Sequence, residues 1–471
     1  MVNTNSGPKK KLSLFSLTWP IFLEVFLFML MGIVDTFMLS ALSDDAVSGV
    51  GAANQYIHIA ILVLEVVGTG AAIVVSQYLG SKRYIEASKI SATAVTLNLA
   101  VGLLMSAGYF IFARSMMAAM NLQGDVLAYA EQYLSIVGGA IFLQALINSL
   151  AAIIRVHGWT KQTMYVSLGM NIIHVIGNYV LIFGKFGFPE LGVQGAAISS
   201  IVSRFIALLV FFWLFYQVVE YRIKLNYYFK LSKEYIGKIL HIGIPAAFEQ
   251  VMYQACQIVF LYYATYLGAE ALAARQYAMN ISMFTFLFAI AIGMGTAIIV
   301  GRLVGANEQD EAYTRLWKSL KFALIFTLST VFLVIVFRNQ LIGLFTDNPE
   351  VIKIATSVLV LSIFLETGRT MNIVIINSLR AAGDARFPVI IGVFSMVAMS
   401  LPLGYFLVFT LDMGLPGIWL AIAADEWIRG IIMYFRWKSR KWEKYVLVGP
   451  GLTEKESSGE KPILPAETSG N

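Results

Sequence analysis

Long apolar runs separated by short polar breaks are the dominant pattern along this chain. A hydrocarbon core of ~30 Å needs ~20 apolar residues per helix. Twelve runs reach that length. The pattern predicts twelve membrane-spanning helices near 14–40, 47–77, 90–113, 128–156, 163–184, 192–219, 236–266, 271–301, 316–337, 351–379, 388–410 and 415–435.

The composition agrees with a chain that folds in lipid. Of its 471 residues, 58% are hydrophobic and only 13% are charged, whereas an average soluble domain has ~25% charged residues. So few charges could not cover the surface of a soluble protein, and a disordered chain is excluded for the same reason. We therefore predict an all-α polytopic membrane protein.

Lys and Arg lie mostly on one side of the predicted helices, from Lys9, Lys10 and Lys11 to a cluster that ends at Lys444. Such an excess marks the cytoplasmic side. We therefore expect a multi-pass protein of the cell membrane with both termini in the cytoplasm. The net charge of +6 is then an orientation signal, and we expect no nucleic-acid partner.

An internal repeat at an offset of 225 residues organises the chain. GTGAAIVVSQYLG (68–80) corresponds to GMGTAIIVGRLVG (293–305), and the same offset relates the following pairs: Pro20 and Pro245, Glu24 and Glu249, Arg155 and Arg380, Gly158 and Gly383, Arg204 and Arg429. Each repeat holds six predicted helices. An even number returns the chain to its starting side, so the lobes are parallel and related by a pseudo-two-fold axis along the membrane normal.

The repeat also predicts the domain organisation. We expect an N-terminal tail over 1–13, an N-lobe over 14–219, a cytoplasmic linker over 220–235, a C-lobe over 236–438 and a polar tail over 439–471. The tail is rich in Gly, Pro, Ser and Glu, a composition typical of disorder. Two parallel lobes of six helices are typical of transporters, whose substrates bind near the middle of the membrane.

Asp35 is the sharpest functional candidate, because a charge at a helix centre costs ~2.5–3.5 kcal/mol to insert. The repeat places Phe260 at the corresponding position, so this acid is not part of a shared scaffold. An interhelical hydrogen bond is the structural alternative. Glu24 shares a helix face with Asp35, but its repeat partner Glu249 favours a structural role for that pair.

Two further helices carry stripes of polar residues. Asn171, His174 and Asn178 lie on one face of the fifth helix, where they can bond Asp35 or form a purely structural ladder. The seventh helix carries amides beside Glu249, which suit a wet cavity for an organic cation or hold helices together; its candidates are Glu249, Gln250, Gln254 and Gln257.

Several kinds of chemistry are excluded. Cys256 is the single cysteine, and the four histidines form no HExxH motif, so we expect no disulfide, resident metal or other cofactor. Residues 68–80 lack the Lys-Ser/Thr of a phosphate loop. Without an ATP-binding motif, active transport must draw on an ion gradient. We expect no enzyme activity; a membrane enzyme, a passive channel and a flippase for a lipid-linked or polar glycan remain as alternatives.

The chain resembles the multidrug and toxic compound extrusion (MATE) transporters over roughly 13–445. The resemblance rests on P-x3-E at the start of each half, VDT in the first helix and, in order, NYVLIFGKFGFPELGVQGAA, VGRLVGANEQDEA, NSLRAAGDARFP and GIWLAIAADEWIRG. It implies export of organic, often cationic compounds in antiport with H⁺ or Na⁺ by alternating access. We expect the protein to be a monomer.

The resemblance also implies a cation-coupling site in the N-lobe, centred on Asp35, with H⁺ or Na⁺ as the coupling ion. Positions that line this site in some members correspond to His174 and Asn178 on the fifth helix, Tyr133 on the fourth and Ser200 on the sixth. A proline at which the first helix bends in some members corresponds to Pro20.

Overall fold

The computed structural model describes residues 12–219 and 223–449, which form helices and no strands. The all-α prediction is therefore confirmed. We number the long helices α1 (Leu14–Ser40), α2 (Asp44–Gly80), α3 (Tyr84–Ala118), α4 (Gly124–Gly138 with Ile141–Val156), α5 (Thr160–Ile182), α6 (Val193–Val218), α7 (Lys233–Thr265), α8 (Ala269–Gly305), α9 (Gln309–Val336), α10 (Pro349–Ala381), α11 (Arg386–Thr410) and α12 (Leu415–Lys438).

Nine of these helices, within the described ranges, are each long and apolar enough to cross a membrane, and α4, bent by 46° at its break, gives a tenth. The remaining two, α7 and α12, have 33 and 24 residues. At ~1.5 Å per residue, both are long enough for a ~30 Å core. Polar residues inside them lower their mean hydropathy, and α12 alone holds Asp425, Glu426 and Arg429.

The connections are more structured than the sequence indicates. The predicted linker contains a short helix, Asn226–Phe229, and its last residues already belong to α7. The first part of the predicted disordered tail is folded, since Lys441–Tyr445 forms a 3-10 helix in which Trp442 is fully buried. Residues 1–11, 220–222 and 450–471 of the predicted tails and linker lie outside the described residues.

An ion pair occurs at the same place in both repeats. Arg155 Nη1 lies 2.9 Å from Glu24 Oε1, and Arg380 Nη2 lies 2.7 Å from Glu249 Oε2. In each lobe, this ion pair connects the first helix of the lobe to the C-terminal end of its fourth helix. A charge buried without a partner is strongly destabilising, so each residue requires the other.

Side chains on α5 complete the surroundings of Glu24. The hydroxyl groups of Thr163 and Ser167 donate to its carboxylate at 3.2 and 3.3 Å. Helix α1 therefore packs on α5 along the face that also carries Asp35. Both α1 and α7 continue as helices through their prolines, Pro20 and Pro245.

Removing one partner of the N-lobe pair should destabilise the protein more than removing both. We expect Arg155→Met to lower the free energy of unfolding by about 1–3 kcal/mol, because it leaves the half-buried carboxylate of Glu24 with only the hydroxyl groups of Thr163 and Ser167 as partners. The double variant Glu24→Gln/Arg155→Met should recover part of that loss. Reversible unfolding in mixed micelles measures the coupling, and strictly additive effects would contradict the pairing.

Candidate functional site

Asp35 lies on the α1 face that packs against α5, with its side chain 22% exposed. The Asn178 amide Nδ2 donates a hydrogen bond of 2.7 Å to Asp35 Oδ1. His174 Nδ1 lies 3.6 Å from the same oxygen. The polar stripe of α5 thus meets the acid of α1, because residues spaced i and i+4 share one helix face.

The other two N-lobe candidates join the same cluster. Ser200 Oγ on α6 lies 3.0 Å from His174 Nε2. Tyr133 on α4 is buried and interacts electrostatically with Asp35 and with Arg204 of α6. All five residues predicted from the sequence are therefore brought together around one carboxylate, with an arginine beside them.

Three side chains of the α5 stripe keep unused hydrogen-bonding capacity. Asn171 Oδ1, His174 Nδ1 and Asn178 Oδ1 are buried without a hydrogen-bond partner. Buried polar groups are normally paired; two of these atoms, on His174 and Asn178, belong to the side chains that contact Asp35. No group of three or more His, Cys, Asp or Glu suited to a metal ion occurs in the part of the chain that the structure describes.

The four C-lobe candidates do not form one cluster. Glu249 is buried in the ion pair with Arg380, whereas Gln250 and Gln254 are exposed on another face of α7. Gln257 accepts a hydrogen bond of 3.3 Å from Arg275 on α8. Glu249 thus lies apart from the exposed amides, because adjacent helical residues point about 100° apart; the role of the amides in substrate binding stays a prediction.

A network of buried charges in the C-lobe was missed in the sequence analysis. Arg429 Nη2 lies 2.9 Å from Asp425 and 3.1 Å from Glu426, and Arg429 Nη1 lies 3.7 Å from Glu249. Three charges at i, i+1 and i+4 inside one apolar run of α12 are the signal that could have revealed it. Each of these acids thus has an arginine within 4 Å, so none of them is a buried charge without an ion-pair partner.

This network extends to α10. Arg369 Nη1 lies 2.8 Å from Glu366 Oε1, one helical turn earlier on the same face of α10, and Arg369 Nε lies 3.7 Å from Glu426. Asn372 Nδ2 donates to Glu426 Oε2 at 2.8 Å. The acids of the C-lobe are thus shared among several arginines, whereas Asp35 has an amide as its nearest partner.

A second set of polar side chains is exposed on helices that are otherwise apolar. Exposed polar groups inside membrane helices face water-filled space, because contact with hydrocarbon is costly. They lie on α2, α7 and α8, which together with α1 form the main contacts between the two lobes. These side chains are Asn54, His58, Glu65, Gln250, Gln254, Gln276 and Asn280.

Comparison with known proteins gives the same architecture. The chain is 44% identical to the "uncharacterized transporter YisQ" of Bacillus subtilis, over 92% of this chain and 95% of that protein. It is 27% identical to the "probable multidrug resistance protein NorM" of Thermotoga maritima, over 93% and 94% of the two chains. A crystal structure described as MATE in the bent conformation superposes with a TM-score of 0.84 at 19% identity, covering 91% and 94%, and shows the shared fold.

The model of the MatE family matches the chain twice, at residues 20–180 and 245–406. The two matches begin 225 residues apart, at the offset of the internal repeat, and together they cover well over half of the sequence. This chain is a multi-pass membrane protein, and it belongs to the MatE family, the multidrug and toxic compound extrusion transporters that its sequence resembles.

Proposed function

We propose that this protein exports organic, mainly cationic compounds across the cell membrane in antiport with H⁺ or Na⁺. The observation that carries the proposal is Asp35, an intramembrane acid with no ion-pair partner closer than His174 and with unpaired polar atoms around it. An acid of this kind in a membrane protein is a functional site by default.

The coupling follows from the balance of charge. Ionised Asp35 offsets the positive charge of Arg204 nearby, so the carboxylate can hold a cation; once H⁺ or Na⁺ neutralises the carboxylate, Arg204 disfavours a second cation at the site. An organic cation and the coupling ion would then occupy the lobe in alternation. The unpaired oxygen of Asn178 and the imidazole of His174 would orient the ion. Ser200 would hold the imidazole of His174 in place, and Tyr133 would complete the wall of the site.

The substrate would enter the space between the lobes. The exposed amides Gln250 and Gln254 on α7 face Asn54 and Glu65 of α2 across this space in our proposal. Neutral amides solvate many different ligands without fixing one geometry, which suits a broad range of compounds. The name of the Thermotoga relative, a probable multidrug resistance protein, supports this substrate class.

Alternating access requires that the lobes separate first at one end and then at the other. The lobes meet at the end that holds Gly80 and Gly305, which the Lys and Arg distribution assigns to the cytoplasm. The arrangement therefore corresponds to a form open to the outside, with both termini in the cytoplasm. We expect the unit of transport to be the monomer, without a cofactor.

Neutralising Asp35 permanently should abolish export. We expect Asp35→Asn to reduce dye efflux from cells to the level of cells that lack the protein, because the site can no longer change its charge. The matched control is Asp45→Asn, an exposed acid at the start of α2, which should retain efflux. Full export by Asp35→Asn, at equal amounts of folded protein in the membrane, would exclude the proposed coupling.

Removing a cavity amide should weaken substrate binding without changing the ion dependence. We expect Gln254→Leu to raise the KM for a cationic dye by about five-fold, since a hydrogen bond contributes about 1 kcal/mol, and to leave kcat nearly unchanged. Gln217→Leu, the same substitution at an exposed position of α6, serves as the control. An unchanged KM would remove α7 from the substrate path.

A further inference from the structure

The two glycine-rich segments of the repeat cross each other where the lobes meet. A β-carbon at Gly80 would collide with the carbonyl oxygen of Arg302, and one at Gly305 would collide with that of Gln77. These contacts are reciprocal, because Gly80 corresponds to Gly305 and Gln77 to Arg302. The pseudo-two-fold axis therefore passes through this crossing of α2 and α8.

Two sets of side-chain hydrogen bonds connect the lobes beside the crossing. Gln77 Nε2 donates to the carbonyl oxygen of Ala381 at 2.7 Å, and Arg302 Nη2 donates to that of Val156 at 2.6 Å. Ala381 and Val156 also correspond in the repeat, and each is the last residue of its helix, α10 or α4. The last carbonyl groups of a helix lack intrahelical partners, so each lobe caps a helix of the other.

The chain beyond α12 reinforces this contact from one side only. We call residues 439–449 the C-terminal strap. Trp442 anchors it to the C-lobe by stacking on Trp437, with ring centroids 4.3 Å apart. The backbone N–H of Leu447 then donates to Gln77 Oε1 at 2.9 Å. Gln77 is completely buried, and its amide therefore bonds the C-lobe through both of its ends.

We propose that Gln77, Arg302 and the C-terminal strap form a clasp that holds the cytoplasmic end of the transporter closed. The proposal rests on the proposed alternating-access function and adds the residues that set its conformational equilibrium. Opening this end separates α2 from α8 and breaks the bonds to Ala381 and Val156 together. The strap adds one more bond to be broken, so it shifts the population toward the outward-open form.

The test measures how readily the cytoplasmic end opens. Ser76 lies at the crossing, against Gly301, and is buried; Ser76→Cys in a Cys256→Ala background provides a single reporter thiol. A membrane-impermeant maleimide applied to inside-out vesicles reaches this thiol only when the cytoplasmic end is open. Its labelling rate therefore reports the open fraction.

We expect Leu447→Pro, which removes one hydrogen bond, to raise the labelling rate by about five-fold, and Gln77→Ala, which removes two, to raise it by about 25-fold, as expected for hydrogen bonds of ordinary strength. Leu447→Ala keeps the backbone donor but removes side-chain packing on Ile73 and Ile242, so it should accelerate labelling clearly less than Leu447→Pro. Gly80→Ala should raise the rate further, because the new methyl group prevents the helices from crossing; Gly108→Ala, where nothing lies within 4 Å, is its control.

Labelling of Gly80→Ala and Gln77→Ala at the parental rate would overturn the clasp. Equal acceleration by Leu447→Ala and Leu447→Pro would overturn the role of the strap hydrogen bond. Arg302→Gln, which copies the N-lobe residue, should stay close to the parent, whereas Arg302→Ala should accelerate labelling. The assay needs neither substrate nor ion gradient, so failure of the antiport proposal would appear separately, as an absence of driven efflux.

Discussion

Every charge inside this helical bundle must be balanced, because hydrocarbon and apolar side chains cannot solvate it. In both lobes, a Glu–Arg ion pair at corresponding positions provides this balance. Glu24 with Arg155, and Glu249 with Arg380, tie the first helix of each lobe to the end of the fourth. In the N-lobe, α1 then packs its remaining polar face against α5. The site around Asp35 depends on this contact between α1 and α5.

The two lobes differ in the residues that lie near this shared Glu–Arg ion pair. In the C-lobe, Phe260 is buried at the position that corresponds to Asp35, and α12 supplies Asp425 and Glu426, which are paired with Arg429 and, for Glu426, also with Arg369. In the N-lobe, Ser200 takes the place that corresponds to Asp425. The C-lobe acids are therefore held in ion pairs with arginines, while the acid of the N-lobe has an amide as its nearest partner. This asymmetry is the reason that our proposal puts ion coupling in the N-lobe.

Periodicity and the repeat predicted most of what depends on position along one helix. The offset of 225 residues, the apolar spans and the shared face of Asn171, His174 and Asn178 needed only sequence spacing. Contacts between distant helices were harder to predict. Spacing alone could not show that Glu249 turns to Arg380 and away from its neighbouring amides, because both faces of α7 are polar. The residues of the C-terminal strap resembled a disordered tail, since the anchoring of Trp442 depends on α12.

Driven efflux from proteoliposomes tests the central claim, that the charge state of the Asp35 site is exchanged for an organic cation. Proteoliposomes that contain the purified protein are loaded with a cationic dye, and a pH or sodium gradient is imposed across their membrane without ATP. The account predicts dye movement against its own gradient, driven by one of the two ions, together with measurable counterflow of that ion. Dye movement that is equal with and without an ion gradient, or that stops at equal concentrations, would contradict it.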